Sequence, residues 1–105
     1  MNTAKLSIVY RIEPGCLGPR GIDLIASFCE YLQAQDHLYN SDYYTWTLIP
    51  RLDKSIAELQ YYLADKRITQ AQAEQYLKLF HVDLKAIESN FDNLLELTIR
   101  EYQKP

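Results

Sequence analysis

Nine residues, Glu13-Pro14-Gly15-Cys16-Leu17-Gly18-Pro19-Arg20-Gly21, hold every glycine of the chain and half of its prolines. Among them stand the side chains best suited to chemistry. Cys16 lies just ahead of a predicted helix start, and the amide N–H groups there carry positive partial charge. Arg20 is close by in sequence. Both features favour the thiolate, so the sequence predicts a Cys16 pKa below the free value of about 8.5. With Glu13, Gly18 and the loop backbone, they outline a thiol-dependent or small-anion site. The competing reading is a small apolar residue filling a tight loop, and most free cysteines are packing residues. Cys16 is therefore only a weak catalytic candidate, and the loop residues Glu13, Cys16, Gly18 and Arg20 are the predicted ligand contacts. The glycines match neither a dinucleotide fingerprint nor a Walker loop. His37 and His81 stand in ordinary loop context and complete no triad.

Aromatic residues make the second constellation. Nine tyrosines dominate the aromatic content, and tyrosine suits half-buried surfaces and interfaces. Tyr43 and Tyr62 are predicted on an open sheet face with Arg11, Thr45, Thr47, Ile49 and Gln60. Arg11, Tyr43, Thr45 and Tyr62 form the predicted partner-binding set. Such a face can stack bases or bind a protein. The net charge of −3 and the absence of any basic run weigh against nucleic acid. Glu88, Asp92 and Glu96 recur every fourth residue and read as one solvated helix stripe. Cys16 and Cys29 match no zinc or CxxC spacing, so no metal and no cofactor is predicted.

These residues need elements to hold them. Leu6, Ile8, Tyr10 and Ile12 alternate with polar positions over residues 6–13, which predicts a strand ended by Pro14-Gly15. Pro19 suits a first helical position. Ile22, Ile25, Cys29 and Leu32 then recur at helical spacing, with Cys29 on the core stripe. Residues 43–49 are a strand by residue type. Residues 55–68 fit two periods. Alternation over 57–63 favours a strand, with Ala64-Asp65-Lys66-Arg67 as a tight turn. A helical stripe beginning at Ser55 remains the alternative. Thr69 with Gln72 forms a capping box for the next helix, and Asp83 caps the longest one.

The order β-α-β-β-α-α predicts an α+β fold over residues 1–105, as one domain. Its sheet has three strands, antiparallel or mixed, with the helices on one face. Residues 43–49 and 57–63 would pair as a hairpin, the latter lying beside the first strand. That topology resembles the split βαβ of ferredoxin-like folds, and the resemblance implies no activity. No apolar run reaches the length of a membrane span. The start of the chain lacks a signal-peptide core, and the two cysteines suit a reducing, cytoplasmic setting. The function expected is a non-enzymatic module that binds a protein partner or a second copy of itself. The loop site and nucleic-acid binding through the open sheet are the alternatives.

Overall fold

The computed structural model describes residues 5–103; the first four and last two residues of the 1–105 range lie outside the described residues. Among the described residues there are four strands: β1 (Leu6–Ile12), β2 (Tyr44–Pro50), β3 (Leu59–Leu63) and β4 (Lys66–Ile68). The helices are α1 (Gly21–Gln33), α2 (Gln70–Lys78) and α3 (Leu84–Tyr102). Short 3₁₀ turns follow β1 at Pro14–Leu17 and α1 at Asp36–Leu38. The sheet runs β2-β1-β3-β4, with β1 and β2 parallel and the other two pairings antiparallel. Its class is the one the sequence predicts: α+β, a mixed sheet, and helices on one side.

Two details of the pairing differ. The sheet has four strands because the turn after β3 needs only two residues. Ala64 and Asp65 both take positive φ, at 52° and 64°, and a two-residue turn of that hand closes a narrow hairpin. Lys66 and Arg67, read from composition as turn residues, therefore begin the return strand. The predicted hairpin between residues 43–49 and 57–63 does not form. β1 lies between those segments and bonds to both, with Ile8 opposite Trp46 on one side and Tyr61 on the other. The βαβ unit is therefore closed, with no strand inserted between β1 and β2.

Alternation along the strands sets the buried face. Leu6, Ile8 and Ile12 are buried, as are Trp46, Leu48 and Tyr61, and the helices cover them with Phe28, Leu32, Leu77, Leu84 and Phe91. Each such side chain contributes about 1.5–3 kcal/mol by leaving water. Trp46 stacks on Phe91 at 4.1 Å between ring centroids. Cys29 is buried, as its place on the stripe predicts, but Ile22 is 71% exposed. Helix α1 begins only at Gly21, and Ile22 in its first turn points away from the sheet.

The remaining helix signals appear as predicted. Thr69 and Gln72 make a reciprocal capping box, at 2.9 and 3.1 Å. Asp83 accepts from the Lys85 amide at 3.2 Å. The chain leaves α2 through His81, whose φ of 62° breaks the helix. The Val82 amide reaches back to the Leu77 carbonyl at 3.0 Å, sealing that end. Ser55 starts no helix, since its amide and hydroxyl both turn back onto Asp53. Among the described residues, no helix is long and apolar enough to cross a membrane.

Candidate functional site

The glycine loop is tied down by its own chain. Leu17 and Pro14 are buried, and Gln103 near the end of α3 donates to the Leu17 carbonyl at 2.6 Å. Gly18 holds a φ of +86°, and a Cβ on Gly21 would stand 1.7 Å from the Pro14 carbonyl oxygen. These two glycines thus serve a turn and a close backbone crossing. Glu13 is engaged with Arg51, its carboxylate 2.6 Å from the guanidinium. Arg51 also lies 3.7 Å from Glu58 and donates to the carbonyls of Lys54 and Ile56. Arg20 is exposed and makes no ion pair among the described residues.

Cys16 is exposed, and its surroundings act on the thiol in the direction opposite to the sequence expectation. Partial desolvation and the nearby Glu13 carboxylate push its pKa up, and a backbone hydrogen bond offsets them only in part. Arg20 takes no part in that balance. The structure brings Glu13 and Cys16 near one another, so the charge felt by the thiol is negative. Burial pushes the Cys29 thiol up to about 11.

Arg51 was not legible as a partner for Glu13 from composition. The usable signal was positional. Both residues follow a strand directly, and the parallel register that sets Ile12 beside Pro50 sets their next residues side by side.

Among the described residues, no element covers the face of the sheet away from the helices. Its side chains form cross-strand rows: Thr45, Ser7, Tyr62 and Arg67; then Thr47, Val9 and Gln60; then Ile49 and Arg11. Val9, Ile49 and Tyr62 are half-buried and Thr47 is exposed. Gln60 is buried although it stands on this open face. The reason is Arg11, whose guanidinium lies across it, donating to the Gln60 side chain and to the Ala57 carbonyl. No carboxylate occupies any of these positions. A shallow depression of about 460 Å³ opens at one end, between Lys5, Ser7, Tyr62, Ala64 and Asp65. Arg11, Thr45 and Tyr62 therefore share the predicted face. Tyr43 does not join them: it precedes β2, and its ring stacks on Phe80 beyond α2 at 4.8 Å.

On the helical side, α3 carries a half-buried carboxylate that the periodicity alone read as solvated. The Tyr61 hydroxyl donates to Glu88 at 3.1–3.2 Å. Burial raises the Glu88 pKa, with Asp92 and Glu74 adding repulsion and the Tyr61 hydrogen bond opposing them. Asp92 is raised as well, by partial desolvation and by Glu58. Tyr10 and Tyr61 are pushed far above the usual phenol range by burial first and these carboxylates second. Both phenols therefore stay neutral donors. Among the described residues, no three His, Cys, Asp or Glu side chains group as metal ligands.

Searches against protein-family models, curated proteins and solved structures found no match to this chain.

Proposed function

We propose that this chain is a non-enzymatic module that binds a protein through the uncovered face of its sheet, the partner being another chain or a second copy. The observation that carries this reading is the composition and placement of that face. Val9, Ile49 and Tyr62 stand among threonines there, while all three helices pack on the opposite side. An apolar centre set among neutral polar groups, with arginines at the margin, matches the make-up of protein interfaces. The loop offers less. Its acid is paired with Arg51, its thiol is shifted toward the inert form, and two glycines serve backbone geometry. A cytoplasmic setting, with Cys16 and Cys29 as free thiols, fits this use.

A photoreactive side chain placed at Thr47, in the cell of origin, tests the reading. It should give a covalent adduct of defined mass, whereas the same group at Ala86 on exposed α3 should not. An adduct of twice the chain mass identifies a second copy. Absence of an adduct at Thr47, or equal yields at both positions, overturns the proposal.

A further inference from the structure

Strand β2 is one edge of the sheet, and an edge strand presents unpaired N–H and C=O groups on which another chain can build. Which groups face outward follows from the ladder. The Leu6 amide bonds to the Tyr43 carbonyl at 3.0 Å, and the Arg51 amide to the Ile12 carbonyl at 2.9 Å. The odd-numbered residues of β2 therefore turn their backbone toward β1, and Tyr44, Trp46, Leu48 and Pro50 turn theirs outward.

Four of those seven outward groups, at the centre of the strand, are bonded within the chain, and not by a strand. Gln33, the last residue of α1, donates its Nε2 to the Trp46 carbonyl at 3.0 Å and accepts from the Leu48 amide on its Oε1 at 2.8 Å. One side-chain amide thus makes the two bonds that a residue of a neighbouring parallel strand would make. The Trp46 carbonyl requires a donor and the Leu48 amide an acceptor, so the orientation of the Gln33 amide is fixed. Tyr39 holds it in place: its hydroxyl accepts from Gln33 at 3.3 Å and donates to the Leu32 carbonyl at 2.8 Å. Burial keeps that phenol neutral, with a pKa of about 12. Asn40 Oδ1 accepts from the Trp46 amide at 2.8 Å, and the Ser41 amide donates to the Tyr44 carbonyl at 3.0 Å. Pro50 has no N–H to offer.

We propose that Gln33, with Asn40, closes the β2 edge against strand addition by a second copy of this chain. The other edge needs no such device, since β4 has three residues, two of them Lys66 and Arg67, and shortness and charge both blunt an edge. Contact is thereby directed away from the strand edges, whatever binds the face.

Gln33→Met tests this, because it keeps the apolar stem and removes only the amide. The variant should fold with the circular dichroism of the wild type. Its Leu48 amide should exchange with solvent roughly tenfold faster in dilute solution, as expected where a local bond is lost. At rising micromolar concentration it should sediment as a larger species than the wild type. Asn40→Ala, acting on the same edge through the Trp46 amide, should shift sedimentation the same way, and it decides the matter if Gln33→Met does not fold. Folded variants that sediment like the wild type overturn the proposal, including the case in which Leu48 exchanges faster but no larger species forms.

Discussion

The carbonyl oxygen of Pro14 sits where a side chain at position 21 would have to go. A Cβ there would lie 1.7 Å from that oxygen and 2.6 Å from its carbon, and both atoms belong to backbone that cannot swing aside. Gly21→Ala should therefore push the 3₁₀ turn off the start of α1. Overpacking of this kind costs about 3 kcal/mol or more when backbone must move. Gly15→Ala meets nothing within 4 Å and should stay near wild type. Urea unfolding of the two variants side by side checks the contrast, and equal stabilities would contradict the contact. The same loop was the most conspicuous stretch of the sequence, and its purpose was the least legible. Clustered glycines signal that a side chain must be absent, without saying whether a ligand or the chain's own backbone takes the space. Cys16 makes a second residue-scale test. Because desolvation and Glu13 raise its pKa, a thiol reagent at neutral pH should label it no faster than free cysteine, with the rate climbing only on the alkaline side. Cys29 should label only on unfolding, since it is 4% exposed. Labelling of Cys16 well ahead of free cysteine at pH 7 would restore the reactive thiol.

At the scale of elements, periodicity was legible wherever one face of the element meets the core. The alternation of Leu6, Ile8 and Ile12, and of Trp46 and Leu48, predicts both the strands and their buried sides. The capping box at Thr69 and Gln72 locates the start of α2 to the residue, because two reciprocal bonds depend on that spacing. Pairing was less legible. Which strands are neighbours depends on where the connecting chain travels, and the segment after β2 carries no period to show that it passes the end of β1. Strand β4 was hidden for a different reason. It is three residues long, and Ala64 with Asp65 adopts a left-handed turn normally signalled by Asn-Gly. The candidate face was recovered nearly whole, since Arg11, Thr45, Thr47, Ile49, Gln60 and Tyr62 follow from register parity alone. Tyr43 was lost because it precedes the strand and answers to Phe80 instead. Gln33 was invisible for want of any local pattern: its partners Trp46 and Leu48 lie 13 and 15 residues away.

Across the whole molecule, charge is sorted between the two layers. The strands carry Arg11, Lys66 and Arg67 and no carboxylate, while α3 alone carries Glu88, Asp92, Glu96 and Glu101. Of those acids, Glu88 is half-buried against the sheet and Asp92 is exposed one turn on, and partial desolvation together with Glu74 and Glu58 raises their pKa values in the fold. The unfolded chain, with ordinary carboxylate pKa values, gives up these protons more readily. Between the ordinary and the raised values the folded chain therefore binds more protons, so these groups favour folding at acid pH. That contribution is complete below the unfolded pKa and is lost as pH rises through the folded one. At neutral pH the ionised pair works against the fold. Glu88→Gln isolates the effect, because its amide oxygen can still accept from the Tyr61 hydroxyl while the charge facing Asp92 and Glu74 is gone. The variant should be more stable than the wild type at pH 7 by about 0.5 kcal/mol, the scale of one relieved like-charge pair at i,i+4 spacing. The advantage should shrink steadily as pH is lowered into the carboxylate range, where the wild-type Glu88 is itself neutral. Urea unfolding of both chains at neutral, mildly acidic and carboxylate-range pH measures the difference directly. A gap that does not change with pH, or a wild type more stable than Glu88→Gln at pH 7, would show that the Tyr61 hydrogen bond to the charged carboxylate outweighs its burial.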